Sequence, residues 1–370
     1  MTLKAQVSTR LAPSVRGRLA ARLKATSVLS LPESQFARLI KEIETDPLFL
    51  RLFFPGRKLP RVISRSRSPQ VSLSKGFYEL KEGMVSGSSA VPVEAILEKH
   101  KDLIEIIKKI GQEAFERYFL YGDGAGSFDE IAQATGISVP EVKKVYELIL
   151  DLSIQAQFSE PGQRLTGHRQ RYSVVAHIEK DPAGGAVLLN TTLPHLARGR
   201  YLVNRDALTE WRKLKILAPE EKKRLRALLE KIELVNIRQS ALFRILEAIV
   251  DVQSRYFFSR QKSRMRPLTM RSLASRLGLA ASTVCRAARE RSVIVPWNEE
   301  VAIADLLPSR RDLLEFILDE LMKESNFQKL SDSALGSQIS QAFGIDVPRR
   351  SLNECRRQWQ KKTAAGAGES

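Results

Sequence analysis

Cysteine, histidine and long apolar runs are what this sequence of 370 residues has least of. Two cysteines, Cys285 and Cys355, are too few for a disulfide framework or a four-ligand zinc site. The four histidines, at 100, 168, 177 and 195, are scattered and show neither an HExxH spacing nor a paired-ligand spacing. No metal and no cofactor are therefore expected. No stretch of about 18 uncharged apolar residues occurs, so no membrane contact is expected. The N-terminus is basic without a following apolar segment, which fits neither a signal peptide nor an anchor. These absences point to a cytoplasmic protein in a reducing compartment. Paired carboxylate motifs and a nucleophile elbow are also missing. The glycine-rich run Tyr121-Gly122-Asp123-Gly124-Ala125-Gly126 lacks the Gly-Lys-Ser/Thr of a phosphate loop and reads as a turn. An enzyme is not expected.

What the sequence does have is positive charge and helical periodicity. Lys and Arg number 60 against 42 Asp and Glu, a formal charge of +18, and hydrophobic residues make up 43%. Such a surplus favours a polyanionic partner, and the apolar content suffices for real cores. Apolar residues recur at helical spacing over Leu29–Leu52, in two stripes within 93–158, and from Thr209 to Phe258. Residues 268–293, 309–324 and 332–360 also read as helical. Pro47 is read as closing the first of these runs. Residues 172–190 switch to alternation around Asp181-Pro182-Ala183-Gly184-Gly185, which predicts a β-hairpin. The fold class expected is mainly α: a multi-module helical protein with helix-turn-helix motifs and one small β-hairpin. The modules are 1–50, a flexible linker 51–92, 93–208 with the hairpin, a helical module 209–325, a C-terminal helix-turn-helix 326–362 and a disordered tail 363–370.

The sharpest local signal runs from Arg271 to Arg286. Ala274 permits close helix packing, Gly278 makes the turn four residues on, and Val284 buries the second helix six residues later. Ser282 is the expected N-cap, leaving Thr283, Arg286 and Arg289 toward DNA. Ten basic residues and one acid, Glu290, lie between Arg255 and Arg291, which favours DNA over mere packing. The same spacing recurs at Ala132, Gly136 and Val142. There Asp129, Glu130, Glu141 and Glu147 present an acidic face that phosphate would repel, so this copy should pack or bind protein. A third copy closes the chain: a helix over Asp332–Phe343, a turn at Gly344, and a second helix opened by Pro348. Arg349, Arg350 and Ser351 then fall in its first turn, where a guanidinium fork suits the O6 and N7 of guanine.

The order of these motifs resembles that of the sigma-54 transcription factors. Pro348–Arg357 is similar to the family box A-R-R-T-V-A-K-Y-R-E, with Arg349, Arg350 and Arg356 identical and Ser351 and Leu352 conservative. Gly278, Ser282, Thr283, Val284 and Arg286 match the family's G-M-H-E-S-T-V-S-R. Val187–Tyr201 resembles V-x-L-N-x-x-x-L-P-x-L-x-x-x-x-Y, and Glu44-Thr45-Asp46-Pro47-Leu48 resembles E-x-N-P-L. The usual glutamine-rich N-terminus is replaced by arginines. The resemblance implies an initiation factor that binds core RNA polymerase through 93–208, with Asp129, Glu130, Glu141 and Glu147 as candidate contacts. It implies GG/GC-type promoter duplex DNA read by Ser282, Thr283, Arg286, Arg289, Arg349, Arg350, Ser351 and Arg356. It also implies an ATP-hydrolysing AAA+ enhancer-binding activator acting on 1–50. The alternative from another class is a stand-alone basic helix-turn-helix repressor or nucleoid protein.

Overall fold

The computed structural model describes residues 24–56, 58–66, 71–73, 101–122, 126–159, 172–180, 187–191 and 194–366. The arginines at 10, 16, 18 and 22, the hairpin turn at 181–185 and residues 123–125 of the glycine-rich run lie outside them. The chain is mainly α, as its periodicity predicts. In chain order, helices α1 Glu33–Glu44 and α2 Pro47–Phe53 precede strands β1 Ile63–Ser66 and β2 Val71–Leu73. Helices α3 Lys101–Ile110, α4 Phe128–Thr135 and α5 Val139–Ser159 follow, then strands β3 Ser173–Lys180, β4 Val187–Thr191 and β5 Arg200–Val203. Next come α6 Arg205–Lys213 and the 34-residue α7 Pro219–Val252. Helices α8 Met270–Leu277 and α9 Ala281–Ala288 lead into strands β6 Arg291–Ile294 and β7 Glu300–Ala302. The chain ends on α10 Arg310–Leu321, α11 Asp332–Phe343 and α12 Arg349–Gly366.

These elements form two compact units. The first takes residues up to 66, 100–155 and 198–241. Its core gathers Phe36, Ile40, Phe49, Leu52 and Phe53 with Ile63, Tyr201, Trp211, Leu225, Leu228 and Ile232. Pro47 does not close a helix but opens α2. Asp46 accepts a bond from Leu48 N at 2.8 Å as N-cap, and proline fits the first helical position because that amide has no intrahelical acceptor. β1 pairs antiparallel with β5, Ile63 opposite Val203 and Ser66 opposite Arg200. The backbone of Tyr201 bonds twice to the Asn236 side chain of α7, at 2.8 Å each way.

Buried charge ties this unit together. The Glu44 carboxylate, 1% exposed, takes Arg65 Nη2 at 2.6 Å, Arg198 Nη1 at 2.8 Å, Tyr146 OH at 3.0 Å and the Tyr201 hydroxyl. Burial pushes its pKa up, but the Arg198 and Arg65 guanidiniums outweigh that and hold it below the ordinary carboxylate value. Arg238 of α7 is equally buried: it donates to Val28 O at 2.9 Å and Leu31 O at 2.7 Å, pairs with Glu33 and covers the Phe36 ring.

The second unit takes 67–99, 156–197 and 242–370. Its sheet has the order β2-β4-β3-β6-β7, with β2/β4 and β3/β6 parallel and β3/β4 and β6/β7 antiparallel. The β3/β4 pairing is the expected hairpin. The β6/β7 hairpin, directly after α9, is not foreseen by the sequence pattern: Val293 and Val295 bury completely, but alternation over so few residues is too short to stand out within a basic helical run. Around the sheet pack Leu242, Ile245, Ile249, Leu273, Val284, Ile317, Leu335 and Leu352.

Three boundaries differ from expectation. The segment expected as a flexible linker, 51–92, contains the end of α2, the paired strand β1 and β2. Its serine and arginine content hides β1, whose partner lies about 140 residues on. Residues 363–366, expected in the disordered tail, belong to α12. Residues 291–293, expected as helix, are strand.

Candidate nucleic-acid interface

The three helix-turn-helix units share one local solution. In each the first helix ends on a glycine in the left-handed region: Gly136 at φ +70°, Gly278 at +64° and Gly344 at +68°. A side chain is strained there, so glycine turns the chain cheaply. Each first helix starts on a hydroxyl cap, with Ser127, Thr269 and Ser331 accepting from the amides of Glu130, Ser272 and Ala334. The apolar positions then bury: Val142 in the first unit, and Ala274 with Val284 or Leu335 with Leu352 in the second. Packing therefore uses a few fixed positions and leaves the rest of each surface to choose a partner.

On α9 the exposed ridge is Ala281, Ser282, Cys285 and Arg289, with Thr283 and Arg286 half-buried beside it. Ser282 is not the N-cap. The cap lies two residues earlier, at Ala280, whose carbonyl accepts from Thr283 N at 2.9 Å and Val284 N at 3.3 Å and whose side chain makes no capping bond. Ser282 is thereby freed to face outward. The ten basic residues of this stretch are not equally available. Arg291 is buried, donating to Arg286 O at 3.0 Å and Ala287 O at 2.7 Å at the end of α9, where a cation suits the helix dipole. Arg260, Arg276 and Arg289 face Glu299, Asp251 and Glu290. Cys285, to which no sequence pattern assigns a role, occupies the centre of the exposed ridge because it follows the buried Val284.

On α12 the first turn presents Arg349, Arg350 and Ser351, all exposed. Pro348 is the cap rather than the first helical residue, its carbonyl accepting from Leu352 N at 3.1 Å. Beside this turn an open cleft of about 820 Å³ is lined by Ser333, Gly336, Ser337, Ser340 and Arg349. Small side chains along α11 keep it open. Arg356 sits elsewhere. It donates to Leu330 O at 2.8 Å, Asp332 Oδ1 at 2.9 Å and Gln328 O at 2.6 Å, and only 16% of its side chain is exposed. Asn353 donates to the other Asp332 oxygen at 2.8 Å. These two bonds hold the Asp332 carboxyl below its ordinary pKa. Arg356, expected as a DNA contact, thus has its guanidinium engaged within the fold, where it fastens α12 to the start of α11.

The acidic copy divides the same way. Asp129 and Glu147 are exposed, whereas Glu130 accepts from Gly126 N at 2.6 Å and Glu141 from Ser138 N and Oγ, both at 2.7 Å. Glu141 is held below the usual carboxylate range by its Ser138 bonds. Two of the four expected protein-binding carboxylates therefore also cap the starts of α4 and α5. Among the described residues no group of His, Cys, Asp and Glu could hold a metal, and no helix is long and apolar enough to cross a membrane.

Residues 217–303, which hold all of α7 together with α8 and α9, match the family described as the sigma-54 DNA-binding domain. A candidate RNA polymerase sigma-54 factor of Clostridium kluyveri is 27% identical over 257 residues, covering 65% of this chain and 54% of that protein. The chain thus spans about half the length of the curated relative it matches. The crystal structure of Aquifex aeolicus sigmaN bound to promoter DNA aligns with a TM-score of 0.34 and 16% identity, over 70% of this chain and 96% of that one.

Proposed function

We propose that this chain, kin to the sigma-54 factors and carrying their DNA-binding domain at residues 217–303, is a non-catalytic transcription factor that brings core RNA polymerase to GG/GC-type promoters. One observation carries the DNA half of this reading. Arg349 and Arg350 stand exposed in the first turn of an 18-residue helix whose packing is complete without them. A bidentate arginine there discriminates a guanine by about 1–3 kcal/mol. On α9, Ser282, Thr283, Arg286 and Arg289 make the second contact. Asp129 and Glu147 offer polymerase an acidic surface, with Glu130 and Glu141 shaping the turns that carry it. The described part of the N-terminal region, from residue 24, is held by the buried Glu33–Arg238 pair and the Glu44 cluster. Those ties suit a regulatory element that an ATP-hydrolysing activator must pull loose before promoter DNA opens. The setting would be the bacterial cytoplasm.

The test is co-purification with core polymerase, joined to promoter-fragment binding. The reading expects stoichiometric polymerase, and expects Arg350→Ala to lower promoter affinity about 5- to 150-fold while random duplex loses far less. A chain that brings no polymerase but binds DNA is a free repressor. Equal loss on promoter and random DNA would reduce the arginines to phosphate contacts.

A further inference from the structure

The corner between α6 and α7 carries a charge that the helix-turn-helix units do not explain. From Trp211 to Arg226 there are seven cations, Arg212, Lys213, Lys215, Lys222, Lys223, Arg224 and Arg226, and two acids, Glu220 and Glu221. All seven cations are exposed. Both acids are already engaged: Glu220 with Lys223 at 3.5 Å, and Glu221 with the Ala218 amide at 2.9 Å and with Arg51. Among the described residues, the six cations other than Lys223 have no ion-pair partner.

Local folding does not ask for this pattern. Arg212 and Lys213 at the end of α6 suit its dipole, but Lys222, Lys223, Arg224 and Arg226 lie in the first two turns of α7, where a helix disfavours positive charge. Lys215 adopts φ +54°, a conformation natural to glycine or asparagine. Cations kept in such places, at mutual repulsion, indicate an external polyanion. The seven cations are spread over two helices and the turn between them, which suits the spaced phosphates of a duplex better than one small anion.

We infer that this corner is a second DNA-binding surface, contacting the phosphate backbone of promoter duplex without reading its sequence. The inference rests on the DNA-binding reading above but uses different residues and a different observable. Removing one phosphate-neutralising cation makes the slope of log affinity against log salt shallower by about 0.9, whatever the sequence.

The experiment uses the full chain and compares Lys222→Gln/Arg224→Gln/Arg226→Gln with the parent, on promoter and random duplexes, from about 50 to 200 mM salt. A second variant, Arg212→Gln/Lys213→Gln, perturbs the neighbouring helix, and all five side chains are exposed and have no ion-pair partner among the described residues, so folding should survive. The expected result is a slope shallower by about 2–3 in the triple variant, equal weakening on both duplexes, and an unchanged promoter-to-random ratio. Unaltered slopes in both variants overturn the inference. Loss of polymerase binding at unaltered DNA slopes also overturns it, and would make the corner, with exposed Leu214 at its tip, a protein dock. A parent with no promoter preference would instead count against the base-reading arginines and leave this readout intact.

Discussion

Replacing Glu44 by glutamine removes one negative charge from a site with two guanidiniums and two phenols around it. The side chain keeps its size, so the change is electrostatic. Arg65 and Arg198 are 1% and 3% exposed and cannot turn to water. Removing one partner of a buried ion pair costs about 3–5 kcal/mol because a desolvated charge is stranded. Here two are stranded, which places the loss at the upper end of that range. Urea unfolding is the assay, followed through Trp211 in a Trp297→Phe/Trp359→Phe background so that the signal reports the first unit. At a slope of about 2 kcal/mol per molar, the midpoint should fall by roughly 2 M. Acid gives an independent reading. The folded-state pKa of Glu44 is depressed, so its contribution is complete above the unfolded value and is lost as pH falls through the folded one. The parent should therefore weaken below about pH 4.5, and the glutamine variant should lack that component. A midpoint within about 0.5 M of the parent, with the same acid limb, would refute the argument that this carboxylate anchors the unit.

The other outcomes concern partner binding. Arg356→Ala should lower promoter preference while leaving the salt slope on random duplex unchanged, because the guanidinium positions α12 and meets no phosphate; a slope shallower by about 0.9 would restore it as a contact. Asp332→Asn should give the same phenotype in milder form, checked in the same titrations. The pair Asp129→Lys/Glu147→Lys should cut polymerase co-purification with little effect on promoter affinity at high salt. Glu141→Gln, which loses its charge but can still meet Ser138, should leave polymerase capture near the parental level.

The helix-turn-helix units are legible in the sequence because their geometry is local. Ala274, Gly278 and Val284 lie within 11 residues, and steric need at each decides the residue type. The exposed arginines of α12 follow from the same spacing. The bonding of Arg356 does not, because what engages it, Gln328, Leu330 and Asp332, lies more than 20 residues back in sequence. Ser282 looks like a cap by type, and only the bonds from Thr283 N and Val284 N to Ala280 O show that the helix starts a residue before it. Glu44 is visible as part of a motif, but its role is not, since its partners come from positions 65, 146, 198 and 201. Strand β1 is hidden for the same reason: no pattern within Ile63–Ser66 announces a partner at 200–203.

The double bond between Asn236 and the backbone of Tyr201 has a consequence for solubility. A two-stranded ribbon offers unpaired amides and carbonyls along its sides, and a neighbouring molecule can extend it by adding a strand. The carboxamide of Asn236 presents one donor and one acceptor at peptide spacing, so it takes the place of the incoming strand at the middle of β5. A helix thus closes the β5 side of the ribbon with one side chain, which removes a nucleation point for chain-to-chain growth on that side.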